Sequence, residues 1–184
     1  MTPVAVTIRA LTGEPGEMRE LQRVFEGAPG YYERTTGVPP GPAEAQSTYT
    51  ILPEGKGYAD KFVLGIYADR QMVGCADLIR RYPDPATATL GLLLICESHQ
   101  GRGIGRQALQ LIEHFAQDWG SCERVRLGVV RSNAEAMPFW ISQGYQPTGE
   151  LREWRVGSVH SEVVVLEKRL PAVGRNEPPR PRLR

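Results

Sequence analysis

The chain has 184 residues, a formal net charge of +1 and 41% hydrophobic residues, enough to bury one good-sized core and too little for two ordinary domains. So small a net charge gives no global electrostatic case for a nucleic-acid or membrane partner, and neither is expected. Cys75, Cys96 and Cys122 are widely spaced with no C-x-x-C pair, which argues against a disulfide framework and a zinc site, so no metal is expected and a reduced, cytoplasmic location fits.

Val4, Val6 and Ile8 alternate with Ala5, Thr7 and Arg9, the period of a half-buried strand. After Glu14-Pro15-Gly16, the spacing of Met18, Leu21, Val24 and Phe25 predicts a short amphipathic helix over 17–25. Residues 27–42 are rich in glycine and proline and carry Tyr31, Tyr32 and Arg34; they read as a long loop, of a kind that is often functional. A second short helix is expected over 43–49. Residues 61–68 and 71–81 read as a hairpin about Asp69-Arg70, and 87–95 as the third strand of the meander. The unbroken apolar run Leu92 to Ile95 predicts burial on both faces.

A helix over 101–118 is expected to put Ile104, Ala108, Leu111 and Phe115 on its apolar stripe and Glu113 among its polar residues. The chain then returns as a strand over 123–130, completing a βαβ unit whose strands are parallel. Ser132 and Glu135 have the S-x-x-E spacing of a capping box, predicting a helix up to Gly144 that Pro138 bends or shortens. Two β-rich stretches follow, near 145–154 and 159–169. Residues 1–170 are expected to form one domain, and 171–184, with Arg175, Arg180, Arg182 and Arg184 among prolines, a disordered basic tail. No apolar run approaches the roughly 20 residues that span a bilayer.

The stretch Leu92 to Arg106, LLLICESHQGRGIGR, organises the rest. A strand-length apolar run leads through a short turn into a glycine cluster that opens a helix. The first N–H groups of a helix have no intrahelical acceptor and carry the positive end of its dipole, so this is a place for an anion. Gly101, Gly103 and Gly105 let a ligand approach the backbone, while Arg102 and Arg106 are cations at the end where the dipole disfavours them. A P-loop is excluded because no lysine follows the glycines. The dinucleotide pattern G-x-G-x-x-A is matched by residues 103–108, but the next strand ends in Val130-Arg131 rather than an acidic residue, and only one βαβ unit is present.

The segment Gln100-Gly101-Arg102-Gly103-Ile104-Gly105 also fits Q/R-x-x-G-x-G/A, and Asn133-Ala-Glu-Ala-Met-Pro-Phe-Trp-Ile-Ser-Gln-Gly-Tyr145 follows the pattern N-x-x-A-x-x-F-Y-x-x-x-G-F. In this order and spacing the two resemble the GNAT superfamily of N-acetyltransferases, over roughly residues 4–170. The resemblance implies an α+β fold, with a mixed, mostly antiparallel sheet of six to seven strands and about four helices in the order β-α-α-β-β-β-α-β-α-β-β. It implies acetyl-CoA as cofactor and transfer of the acetyl group directly to a primary amine. That amine belongs to a small molecule or peptide, and the chain is expected to be a monomer or homodimer.

By the same resemblance, the backbone of Leu93, Leu94 and Ile95 meets the pantetheine arm where this strand and the next splay apart. The N–H groups of Gln100, Gly101, Arg102, Gly103, Ile104 and Gly105 hold the pyrophosphate, with Arg106 close by. Asn133 contacts the cofactor, Phe139 packs near the pantetheine, and Tyr31 and Tyr32 form part of the acceptor pocket. A backbone N–H at Leu94 or Ile95 serves the developing oxyanion.

Two positions depart from the family pattern. Trp140 stands where many relatives carry a tyrosine, and an indole N–H does not give its proton to a thiolate; Tyr145, Tyr31 or Tyr32 are the candidates to replace it. Thr89 stands where histone-type relatives carry a glutamate. Asp77, the one carboxylate within the apolar strand 72–79, is then the candidate base that takes the proton of the acceptor ammonium. Glu97 is read as a solvated turn residue, His99 as a surface residue and Cys96 as an inert thiol. These departures keep open a second class of protein, a non-catalytic acyl-CoA-binding or sensor module on the same fold.

Overall fold

The computed structural model describes residues 5–172; most of the expected basic tail lies outside them. The elements run β1 (Val6–Ala10), α1 (Pro15–Glu26), α2 (Pro29–Thr36), α3 (Glu44–Thr50), β2 (Lys61–Ala68), β3 (Gln71–Arg80), β4 (Thr87–Ile95), α4 (Ile104–Gln117), β5 (Arg124–Val130), α5 (Ala136–Ser142), β6 (Gln146–Val156) and β7 (Val159–Arg169). The seven strands form one sheet in the order β1-β2-β3-β4-β5-β7-β6. Every neighbouring pair is antiparallel except β4 and β5, as the crossover through α4 requires. This is the mixed, mostly antiparallel α+β sheet that the sequence implied.

The two faces of the sheet are covered separately. On one, Leu109, Ile112 and Ala116 of α4 and Trp140 of α5 pack with Ala76, Leu78, Leu90, Leu127 and Leu166 of the strands. On the other, Leu21, Val24 and Phe25 of α1, Tyr32 of α2 and Ala45 of α3 pack on Val63, Tyr67, Cys75 and Leu94. Side chains alternate between faces along a strand, so Cys75, Asp77 and Leu94 share the α1–α3 face.

Four local expectations change. The glycine- and proline-rich stretch 27–42 is not one long loop but contains α2. Pro29 sits at its first position, Gly37 ends it in the left-handed conformation (φ 75°), and the Gly37 N–H donates to Tyr32 O and Glu33 O, so the two residue types punctuate a helix rather than prevent one. The run Leu92 to Ile95 is only partly covered, because β4 loses a neighbour there. On α4 the buried positions are Ile104, Ala108, Leu109, Ile112, Glu113 and Ala116, so the stripe is rotated away from Leu111 and takes in Glu113. That carboxylate is retained inside by Lys168 Nζ at 2.8 and 2.9 Å and by the Tyr145 hydroxyl at 3.0 Å.

The capping box at Ser132 also fails to form. Residues Arg131–Asn133 make a 3-10 turn, and α5 starts only at Ala136 with no side-chain cap. Its would-be partners are engaged elsewhere: the Ser132 N–H donates to Ser161 Oγ at 3.3 Å, and Glu135 pairs with Arg34 at 3.5 Å. Pro138 falls in the first turn of the shortened helix, where a missing N–H costs no hydrogen bond.

Candidate active site

The parallel pairing of β4 with β5 ends at Leu90 and Leu127. On its other side β4 continues against β3, but with a shift of register: Leu78 opposes Leu90 while Asp77 opposes Leu92, which leaves Gly91 as the extra residue of a bulge. A bulge bends and twists its strand, and here it turns residues 91–95 away from β5. The resulting wedge is the expected splay.

A cavity of about 570 Å³ fills one side of the wedge. Its walls include Leu93, Leu94, Ile95, Gln100, Gly101, Gly103, Ile104, Gly105, Arg106, Asn133 and Phe139, that is, each residue assigned to the cofactor by resemblance except Arg102, which is exposed. Gly103 is the N-cap of α4 in the left-handed conformation (φ 76°), with neither a side-chain cap nor an acidic residue in the first turn. The opening N–H groups of α4 therefore face the cavity as an anion site. Gln100 differs from its expected role, since its backbone N–H donates to Glu97 O at 3.2 Å and its side-chain amide to Ile95 O at 2.8 Å.

The third wall is α2, which the sequence did not disclose as a helix. The Gly30 N–H donates to Glu97 Oε1 at 2.7 Å, and Arg34 Nε donates to Asn133 Oδ1 at 2.8 Å. Farther along, Thr35 O accepts from Trp154 Nε1 at 2.7 Å and Thr36 O from Ser158 N at 3.0 Å. The helix is thus tied to the segments that follow β4 and β5 and to the β6–β7 hairpin. Glu97 is the exposed turn residue expected, and it also places an anion at a helix N-terminus. Arg34, His99, Glu135 and Gln143 line the cavity as well. The sequence offered no signal for Glu135 and Gln143; Arg34 was visible only as a cation beside two tyrosines.

A second cavity, about 80 Å³, opens on the other side of the wedge between β4 and β5, lined by Gly91, Leu92, Gly128, Val130, Thr35 and others. Tyr31, Leu93, Asn133, Ala136 and Trp140 border both cavities, so the two meet at the splay. Tyr31 holds its proton tightly because burial raises its pKa. Tyr32 does not reach either cavity; its hydroxyl donates to Glu44 Oε2 at 3.1 Å. Tyr145 is fully buried, its hydroxyl is committed to Glu113, and the Trp140 ring stands against it at 5.3 Å between centroids. The structure does not bring Tyr145 to the cleft, because the apolar surround and the Glu113 carboxylate hold it in the core.

Asp77 lies beside the bulge. Its Oδ1 accepts from Lys61 Nζ at 2.7 Å, and burial raises its pKa while the ammonium opposes that shift. Thr89 is occupied in donating to Tyr82 O at 2.7 Å. The Cys96 thiol points to Val24 O at 3.8 Å, and burial raises its pKa, which makes it a poor nucleophile.

A helix N-terminus free of acidic residues beside a splayed parallel pair is an arrangement suited to an anionic ligand with an extended arm. Residues 23–145 match the model of the acetyltransferase (GNAT) family, and the chain belongs to that family. It is an acetyl-CoA-dependent N-acetyltransferase. It is 30% identical over 112 residues to the spermine/spermidine N(1)-acetyltransferase of Bacillus subtilis (strain 168), covering 58% of this chain and 73% of that one. It is 34% identical over 104 residues to the ribosomal-protein-serine acetyltransferase of Escherichia coli (strain K12), covering 56% of each. Among solved structures, an acetyltransferase from Thermus thermophilus superposes with a TM-score of 0.68 at 26% identity, covering 92% of this chain and all of that one.

Proposed function

We propose that the enzyme moves the acetyl group directly from acetyl-CoA to a primary amine of a small molecule or peptide, with both substrates bound together. The observation that carries this reading is the meeting of the two cavities at Leu93, Trp140 and Tyr31. A thioester held in the larger cavity faces an amine held in the smaller one, so no acyl-enzyme relay through a residue such as Cys96 is needed.

Acetyl-CoA supplies an activated acetyl thioester. The N–H groups from Gly101 to Gly105 receive its pyrophosphate, with Arg106 as a nearby cation, and the stretch Leu93 to Ile95, paired with β3 but free on the side from which β5 has parted, aligns its arm. Asn133, held by Arg34, and Phe139 bound the same arm. An N–H at Leu94 or Ile95 takes the negative charge that develops on the carbonyl oxygen. Asp77 accepts the proton of the acceptor ammonium through water, and Tyr31, the tyrosine whose side chain borders both cavities, donates a hydrogen bond to the departing sulfur. Trp140 excludes water from the junction.

The test is release of thiol from acetyl-CoA across a panel of amines. The relatives put polyamines and serine-bearing peptides of ribosomal proteins at the head of that panel. Turnover with any of them supports direct transfer, whereas tight CoA binding with no turnover on any amine indicates a binding or sensor module instead.

A further inference from the structure

We infer that Lys61 is a positioning residue for this reaction, one that holds Asp77 ionised and aimed at the amine side of the splay; the inference rests on the reading of Asp77 as base. Lys61 begins β2 opposite Ile79, and Asp77 on β3 lies opposite Val63, so the two side chains meet on the diagonal of an antiparallel pair, within reach of a long side chain. The Lys61 side chain is only 3% exposed and that of Asp77 19%. An ion pair this enclosed is poor evidence for stability, because desolvating two charges offsets most of their attraction. Its consequence here is directional. Oδ1 is taken up by the ammonium, and Oδ2, which has no hydrogen-bond partner among the described residues, faces the bulge.

Gly91 makes that possible. A Cβ at Gly91 would lie 3.3 Å from Asp77 Oδ2 and 3.7 Å from the Asp77 carbonyl oxygen, while Gly91 itself lines the smaller cavity. Asp77 itself lines neither cavity; Gly91, which lines the smaller one beside Oδ2, puts no side chain between them. A cavity of about 80 Å³ has room for water beside a small amine, since a water occupies about 30 Å³. The proton step then balances. One N–H bond of the ammonium breaks and its proton passes through water to Asp77 Oδ2. The freed nitrogen lone pair forms the new C–N bond as the C–S bond breaks, the second proton leaves nitrogen for the thiolate, and Asp77 returns its own proton to solvent.

Few other charges bear on Asp77. From β3, Cys75 on the same face is fully buried and its thiol stays protonated, because burial raises its pKa. From α2, Tyr31 faces Cys75 and is likewise protonated. From β4, the neighbours Thr89, Gly91 and Leu92 carry no charge, and ahead of β2 Asp60 is engaged by Lys56 and Arg80. Burial raises the Asp77 pKa, and Lys61 is the neighbouring charge that opposes that rise.

Removing the Lys61 ammonium raises the Asp77 pKa, and since the ionised carboxylate is the active form, the acid limb of the pH profile must move to higher pH. The experiment compares pH profiles of kcat/KM for the amine in wild type, Lys61→Met, Lys61→Arg and Asp77→Asn. Lys61→Met is expected to move the acid limb up by about one pH unit, a tenfold loss on the acid side, with the KM for acetyl-CoA unchanged; Lys61→Arg restores the limb. A wild-type limb in Lys61→Met overturns the inference. If Asp77→Asn also keeps the limb, the reading of Asp77 as base fails with it; if Asp77→Asn loses the limb, that reading stands and only the role of Lys61 fails. Should Lys61→Met not bind CoA by calorimetry, Lys61→Gln provides the decision, because it keeps a hydrogen-bond donor for Oδ1 and removes only the charge; the same upward shift of the acid limb is expected in it, and a wild-type limb overturns the inference.

Discussion

Gly105 separates what the fold requires from what the ligand requires. Gly103 has a positive φ that a side chain would strain, but Gly105 does not. A Cβ at Gly105 would meet only Ile95 Cγ1 and the Phe139 ring, all at 3.8 Å, an ordinary van der Waals distance. The protein alone therefore gains from a larger residue there. Gly105→Ala removes backbone entropy from the unfolded chain and should stabilise the ligand-free enzyme by about 0.4–1 kcal/mol, or roughly 1–4 °C in Tm for a chain of this size. Its effect on CoA has the opposite sign, because the added methyl stands where the pyrophosphate approaches the backbone. Gly105→Glu adds bulk and a negative charge at the same point. In wild type, CoA at a hundred times its Kd should add about 2.7 kcal/mol, a rise of roughly 5–11 °C. Differential scanning with and without CoA, together with titration calorimetry, measures both quantities. Gly105→Ala should melt higher alone and gain less from CoA, and Gly105→Glu should gain nothing. A full CoA-induced shift in Gly105→Glu would refute the placement of the pyrophosphate at the start of α4.

Trp140→Tyr puts a hydroxyl at the junction of the two cavities and is expected to raise kcat several-fold at an unchanged KM for acetyl-CoA; an unaltered kcat in steady-state assays would mean that departure of the thiolate is not slow. Lys168→Met leaves the Glu113 carboxylate, 9% exposed, with Tyr145 alone, and should lower stability in urea by about 3 kcal/mol with CoA affinity unchanged. Asp84 has a lowered pKa because of hydrogen bonds from Thr87 and Ala86 N–H and the Arg124 guanidinium, so its ionised form favours the fold. That stabilisation is complete above the unfolded aspartate value of about 3.9 and fades as pH falls through the lower folded value. Asp84→Asn should accordingly flatten the acid end of the stability curve below about pH 4, which urea titrations at stepped pH would detect.

The regular parts of the fold were visible in the sequence because each had one dominant cause. The alternation in β1 and β5, the β-rich runs of β2 and β3 and the apolar periodicity of α1 are all burial patterns. The errors share another cause, tertiary contacts that override a local signal. Ser132 and Glu135 have the spacing of a capping box, but Ser161 and Arg34 compete for them and win. The Leu92 to Ile95 run looked fully enclosed because no periodicity can reveal that a bulge at Gly91 withdraws a neighbouring strand. Glu113 looked like a surface residue since Lys168, which permits its burial, is 55 residues away in the chain.

The same distinction explains why the walls of the larger cavity left a motif in the sequence and those of the smaller one did not. A pyrophosphate at a helix N-terminus calls for consecutive N–H groups of one turn, a requirement that falls on contiguous residues and leaves a motif such as the glycines from Gly101 to Gly105. The smaller cavity is bounded by residues from separate elements: Tyr31 and Thr35 from α2, Gly91 and Leu92 from the bulge, Gly128 and Val130 from β5. No spacing rule connects them, and the helix that supplies the first two is itself held in place by long-range bonds, Glu97 to Gly30, Arg34 to Asn133 and Trp154 to Thr35. Since α2 is fastened on one side to the turn that opens the cofactor site and on the other to the β6–β7 hairpin, a change in the hairpin alters the acceptor wall without touching the glycine turn. Acceptor specificity in this fold can therefore diverge through the hairpin and α2 while the cofactor motif stays fixed. For that reason, family membership identifies the acetyl donor of this enzyme more closely than its acceptor.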